Sequence, residues 1–319
     1  MYKEFYGLRE SPFNVNPDPR YLYLTRQTQE AYANLTYGIQ SKKGFILLTG
    51  EVGTGKTTLL NRLLDWLRTQ RATTAFIFNP RLSVTQLFDF MMTDFGIPCE
   101  SKLKSQVLLR LNQWLLERYK SGETAVLIID EAQNLSAQVL EEIRLLTNLE
   151  TSTEKLLQIV LAGQPELEAK LAQPQLRQLR QRITLRSKTL PLSLEETAGY
   201  IHERLRIAGA TNPNIFSDEA IECIHRFARG IPRVTNLLCE HSLINSFVEQ
   251  QKPVRKESVE EAAREFQLDP FEAASPVGSF TPNSEAAPLV KSLLQNLANL
   301  VERMGQQEPS LESNRERKT

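Results

Sequence analysis

The stretch Gly44 to Thr58, GFILLTGEVGTGKTT, constrains this chain most, because an apolar run passes into a glycine-rich loop that opens a helical pattern. Gly50, Gly55, Lys56 and Thr57 fill the G-x-x-x-x-G-K-[ST] positions of a Walker A motif, in the strand-before, helix-after setting the motif requires. Glycines here let backbone N–H groups turn inward onto phosphate oxygens, and a helix from Thr57 to Leu67 adds its dipole. The expected cradle comprises Gly50, Glu51, Val52, Gly53, Thr54, Gly55, Lys56, Thr57 and Thr58. Lys56 is expected to reach the β- and γ-phosphates of ATP, and Thr57 to ligate Mg²⁺. An α/β nucleotide-binding fold follows.

The elements downstream fit that expectation. Leu59, Leu60, Leu63, Leu64 and Leu67 give the first helix its core face, and Thr73 to Phe78 reads as a strand ending at Asn79. Ser83 with Gln86 forms a capping-box signal for a helix through Phe95, and a further helical pattern spans Leu103 to Tyr119. Ala125 to Ile129 is uninterrupted apolar sequence, as in a central parallel strand covered on both faces. It runs straight into Asp130 and Glu131, a Walker B pattern in which Asp130 holds the Mg²⁺ shell and Glu131 polarises the attacking water. A helical region follows from Ser136 to Leu149. Leu156 to Ala162 is a fourth strand, and Gln164 at its end is placed to sit between the acids and the γ-phosphate.

From Gln173 to Lys188 the chain carries Arg177, Arg180, Arg182, Arg186 and Lys188 with no acid, in a protein whose 38 Lys+Arg balance 38 Asp+Glu. Such concentrated charge calls for an anion, either a neighbouring subunit's γ-phosphate or DNA. Ile183 to Leu185, with Leu190 and Leu192 beyond, reads as a short fifth strand and its exit. Ser193 and Glu196 then form a capping box that opens a helical unit, with helices through Leu205, from Ser217, from Pro232 and from Glu257 to Phe266. Arg233 stands in the first turn of one of them, a poor place for a cation unless it faces phosphate.

The first 25 residues hold aromatic and apolar side chains among Pro12, Pro17 and Pro19, and read as an irregular strap lying either over the nucleotide or on the core. Thr25 caps a helix running to about Gln40. Past Pro270 the composition is that of a linker. Val290, Leu293, Leu297, Leu300 and Met304 follow at alternating spacings of three and four, as in a two-heptad helix that needs a partner surface, and a polar tail ends the chain. No 18-residue apolar run and no signal-peptide h-region occurs, so a cytoplasmic protein without direct membrane insertion is expected. Cys99, Cys223 and Cys239 lack metal-site spacing. Both Cys-x-His pairs fall within helices, where side chains two apart diverge.

Together the blocks FYGLRESPFNVNPDPRYLYLT, GEVGTGKTT, VLIIDEAQNL, LAGQPEL, LRQRI and GIPRVTNLLC resemble the AAA+ ATPases, and most closely the ExeA-like (general secretion pathway protein A-like) family. The resemblance implies a three-layer αβα core with a five-stranded parallel sheet in the order 5-1-4-3-2, a small all-helical lid, and assembly into rings or helical filaments. With the readings above, the expected division is a strap over residues 1–25, core 26–192, lid 193–268, linker 269–288, helix 289–304 and tail 305–319. It further makes Asn79 the residue restraining the catalytic Glu131, Gln164 a sensor 1, and Arg233 a sensor 2 contacting γ-phosphate. The trans-acting arginine finger is expected among Arg177, Arg180 and Arg182, with Arg182 favoured. Longer secretion-type members continue into a membrane segment and a peptidoglycan-binding domain, whereas this sequence carries a linker and helix.

Three functions are open at this point. One is an oligomerising ATPase that remodels or resets a partner complex. Another is a nucleotide-switched regulator of double-stranded DNA, similar to the TnsC, TniB and MuB transposition proteins, with Lys102 and Lys104 adding to the basic segment. The third is a scaffold that keeps nucleotide only for folding.

Overall fold

The computed structural model describes residues 1–78, 81–98, 101, 103–212 and 214–269. Asn79, Cys99, Lys102 and the expected linker, two-heptad helix and tail beyond Asp269 lie outside these residues. In chain order the elements are α1 (Tyr2–Tyr6), α2 (Arg26–Gln40), β1 (Phe45–Gly50), α3 (Lys56–Arg68), β2 (Ala72–Ile77), α4 (Val84–Asp94), α5 (Lys104–Lys120), β3 (Thr124–Ile129) and α6 (Ala137–Leu146). They continue with β4 (Leu157–Gly163), α7 (Pro165–Leu171), α8 (Arg177–Arg182), β5 (Leu185–Thr189), α9 (Leu194–Ile207), α10 (Asp218–Ala228), α11 (Pro232–Val248) and α12 (Lys256–Glu265).

All strand pairs are parallel, in the order β2-β3-β4-β1-β5, the expected arrangement read from its other edge. Every residue of β1 and β4 is buried, because helices cover both faces of the sheet. Alternation then sorts the side chains. Ile46, Leu48, Val126, Ile128, Val160 and Ala162 pack under α2 and α3, while Phe45, Leu47, Leu127, Ile129, Ile159 and Leu161 face α4 to α8.

Local chemistry sets the helix starts. The hydroxyls of Thr25, Ser83, Ser136, Ser193 and Ser217 each accept a backbone N–H from the first turn that follows, and Ser83/Gln86 and Ser193/Glu196 complete reciprocal capping boxes. Helices α9 to α12 surround their own core of Tyr200, Ile201, Leu205, Ile224, Leu238 and Leu243, which also takes in Tyr6, Leu8 and Phe13 from the N-terminus.

Two expectations are corrected. The fifth strand is Leu185–Thr189 and not Ile183 to Leu185: this edge strand pairs with β1 alone, buries Ser187 and Thr189, and turns Arg186 and Lys188 outward. Its alternation is polar, so no apolar run marks it. The N-terminal strap is also not wholly irregular. Tyr2–Tyr6 is helical and closes on Gly7 in the left-handed region.

Candidate active site

Parallel pairing brings the C-terminal ends of β1, β3 and β4 side by side, with Thr49 opposite Gly163 and Ile129 opposite Leu161. The loops that follow these strands therefore converge, as they do at the carboxyl edge of open α/β sheets generally. A cleft of about 310 Å³ opens there, lined by Val52 to Thr58, Glu131, Leu190, Leu192 and Arg233, a volume within the range of small-molecule sites.

In the loop after β1, Lys56 is buried, and its ammonium donates to the carbonyls of Gly50 at 2.7 Å and Glu51 at 2.9 Å. Burial lowers its pKa below the ordinary lysine value, opposed by the Glu131 and Asp130 carboxylates. Gly53 holds φ at 80°, and a side chain there would come within 2.8 Å of Arg233 Cβ, so only glycine lets the loop pass under α11. The Arg233 N–H donates to Gly53 O at 3.2 Å, which brings the exposed Arg233 side chain to the cleft.

Thr57 Oγ1 donates to Asp130 Oδ2 at 2.8 Å, and the Glu131 N–H donates to Asp130 Oδ1 at 2.9 Å. Burial raises the Asp130 carboxyl above its ordinary value despite these two donors. A hydroxyl and a buried carboxylate within hydrogen-bond reach of one another form a hard-oxygen pair of the kind Mg²⁺ takes, and a cation beside Asp130 would offset the cost of its burial. The predicted pair Thr57 and Asp130 thus fits the ion.

Glu131 sits at φ 53°, a left-handed conformation unusual for a residue with a side chain, which lets consecutive acids point to different places. Its Oε2 accepts from Gln164 Nε2, at the end of β4, at 3.1 Å, and also from Gln133 Nε2 at 2.5 Å. Gln133 was not singled out by sequence reasoning. Its only signal is its place two residues after Glu131 in DEAQ, where a short turn from Ala132 to Asn134 folds it back.

A second set of lining residues is also new. Val15 to Asp18, Tyr21 to Tyr23, Tyr200, Arg204 and Asn236 line the same cleft as the glycine-rich loop. Arg204 is buried and donates to Pro12 O at 2.6 Å and Tyr200 Oη at 2.8 Å, with its guanidinium 4.4 Å from the centre of the Tyr21 ring. Tyr200 in turn donates to Asn236 Oδ1 at 2.8 Å.

The basic segment stands away from this cleft, since none of its arginines lines it. Arg177 and Arg180 are exposed on α8, whereas Arg182 is half-buried and donates to Thr147 Oγ1 at 2.6 Å. Lys188 pairs with Glu168 at 3.1 Å, and Lys104 with Glu142 at 2.7 Å. The isolated positive field expected of Lys104 and Lys188 is therefore partly neutralised by acids distant in sequence.

Residues 39–171 match the family model of the AAA domain. General secretion pathway protein A of Aeromonas hydrophila is 47% identical over 248 residues, covering 77% of this chain and 45% of that protein, so the chain spans less than half the length of this relative. Among solved structures, the Aeropyrum pernix ORC2 protein in ADPNP-ADP complexes superposes with a TM-score of 0.61 at 15% identity, over 80% of this chain and 71% of that one. The Aeropyrum pernix ORC1 protein in complex with DNA gives 0.56 at 17% identity, over 76% and 64%. Among the described residues no helix is long and apolar enough to cross a membrane. Residues 39–171 thus form an AAA domain, and the chain is similar over 248 residues to general secretion pathway protein A.

Proposed function

We propose that the chain binds Mg·ATP in this cleft, hydrolyses it as one member of a homo-oligomer, and uses the cycle to remodel or reset a partner complex in the cytoplasm. The observation that carries this reading is that Glu131 lines the same cleft as Lys56 and Thr57, and that Thr57 is bonded to Asp130. Lys56 exchanges the carbonyls of Gly50 and Glu51 for β- and γ-phosphate oxygens, so the cost of its burial is met by phosphate charge. Glu131 orients the attacking water, with Gln164 fixing one of its oxygens. Mg²⁺ between Thr57 and Asp130 neutralises charge on the phosphate oxygens.

Residues 26–192 act as the ATPase core and residues 193–268 as a lid that brings Arg233 to the γ-phosphate. The first 25 residues close the far wall. The arginine supplied in trans comes from α8, where Arg177 and Arg180 are exposed and Arg182 must first leave Thr147. Exposed Arg177, Arg180 and Arg186 also favour a second reading, in which the assembled ATP form binds double-stranded DNA.

The test is ATP turnover by the wild type and Glu131→Gln across protein concentrations, with and without duplex DNA, while light scattering follows assembly. Turnover per subunit that rises with concentration and vanishes in Glu131→Gln supports the first reading. DNA-stimulated turnover, with duplex binding that needs ATP and weakens with salt, selects the second. No turnover and no ATP-dependent duplex binding under any condition leaves a nucleotide-stabilised scaffold and overturns both.

A further inference from the structure

The turn that follows Glu131 is held from outside, and its anchor is Gln133. The Gln133 side chain bridges two groups: its Nε2 donates to Glu131 Oε2, and its Oε1 accepts the Gln164 N–H at 3.1 Å. A β-carbon on Gly163 would come within 2.8 Å of Gln133 Oε1, so the bare backbone of β4 is what admits this amide. The backbone of the turn is gripped as well, because half-buried Lys170 on α7 donates to the carbonyls of Gln133 and, at 2.8 Å, of Leu135. Both amides that reach Glu131 converge on the same carboxylate oxygen, Oε2. A carboxylate fixed by one oxygen keeps the other in a defined direction, which matters where the backbone beneath it is itself in an unfavourable conformation.

We propose that Gln133 is a positioning residue for hydrolysis, holding Glu131 Oε2 against the end of β4 so that the carboxylate stays aimed into the cleft, with Lys170 steadying the turn that carries it. The proposal rests on the reading of Glu131 as the group that orients water. Gln133 needs both halves of its amide, as an acceptor toward Gln164 and a donor toward Glu131, so substitutions that separate these halves expose its role.

The experiment uses the full chain. Gln133→Glu keeps the shape and the acceptor but puts a carboxylate oxygen where the donor was, and Gln133→Met keeps the bulk without either. For each variant kcat and KM are measured, together with the Kd of a fluorescent ATP analogue and the melting temperature. Loss of aim with binding intact predicts a kcat lower by about 10- to 100-fold, since small misplacements cost that much, with Kd within about threefold of wild type. In a Glu131→Gln background the same substitutions are expected to leave the single-turnover rate unchanged, because the group they position is already gone. Wild-type kcat in folded Gln133→Glu overturns the proposal, as does a kcat loss that persists undiminished in the Glu131→Gln background. Glu131→Gln turning over as fast as wild type would instead overturn the reading beneath it, and the proposal with it.

Discussion

One wall of the cleft is made by consecutive residues, Val52 to Thr58, that follow the end of β1, while another is assembled from Val15 to Asp18, Tyr21 to Tyr23, Tyr200, Arg204 and Asn236. In the first wall, backbone geometry does the organising. Lys56 needs only carbonyls five and six residues back to hold it. In the second, a buried guanidinium reaches a carbonyl 192 positions away and two tyrosine rings. The glycine-rich wall is thus a local structure that folds with its strand and helix, whereas the assembled wall exists only once the N-terminal segment has docked on α9.

Removing the anchor of the local wall should have the largest effect on function and little on folding. Lys56→Ala is expected to lower turnover by about 10²- to 10³-fold through loss of a charge aimed at the transferring phosphoryl group. Its melting temperature should stay close to wild type, because the ammonium gives up a buried position that desolvation already disfavours. A Lys56→Ala protein that unfolds readily would show that the loop depends on its lysine for structure.

The opposite balance is expected of the assembled wall. Arg204→Leu strips donors from Pro12 O and the Tyr200 hydroxyl and should destabilise the protein by about 2–4 kcal/mol. Limited proteolysis should then cut the first 25 residues before the core, with nucleotide affinity falling alongside. If the N-terminal segment stays protected, the wall is held by Tyr6, Leu8 and Phe13 in the helical core rather than by the guanidinium.

This asymmetry decides what a reader of the sequence finds. Gly50 to Thr58, Asp130, Glu131 and Gln164 are legible because each group starts at the end of a buried strand or directly after it, and parallel pairing does the rest. Capping hydroxyls such as Ser83 and Ser193 are legible for the same reason of local chemistry. Arg204 reads as one more polar residue on an amphipathic helix, since its acceptors lie at the other end of the chain. Gln133 is hidden differently. Its neighbour in sequence is obvious, but only the strained turn at Glu131 and the open backbone at Gly163 bring its amide to bear. The β5 edge is missed because Ser187 and Thr189, its buried residues, are polar.

A smaller effect, of opposite sign on stability and function, separates the site's chemistry from its folding at Asp130, the carboxylate bonded to Thr57 of the local wall. The folded Asp130 carboxyl binds its proton more tightly than the unfolded one, so stability carried by this group falls as pH rises from the ordinary carboxylate range through the raised value, and the full cost is present above it. Asp130→Asn removes that cost and can keep the Thr57 hydroxyl paired. The ligand-free variant should be more stable by about 1–2 kcal/mol at pH 7, with the gain shrinking on acidification, while Mg²⁺-dependent turnover is lost. Chemical denaturation at a series of pH values checks the sign, and a destabilised variant at pH 7 would mean that the Glu131 N–H and Thr57 together outweigh desolvation.

The smallest expected change probes the assembled wall at a single methyl. Gly199 lies in α9 with Tyr23 packed on it, and an added β-carbon would fall 2.2 Å from the Tyr23 hydroxyl oxygen. Alanine suits a helix better than glycine by about 1 kcal/mol, which favours folding of Gly199→Ala. The ring must swing aside, however, loosening its edge contact with Tyr200, whose centroid lies 6.0 Å away, and moving part of the cleft lining. Stability should therefore change by less than about 1 kcal/mol while ATP-analogue affinity falls about threefold, equivalent to roughly 0.7 kcal/mol. An isotherm matching wild type would show that nucleotide contacts stop short of Tyr23 and that this wall serves the fold alone. A weakened isotherm at unchanged stability would place Tyr23 against the bound nucleotide, which no local motif in the first 25 residues announces.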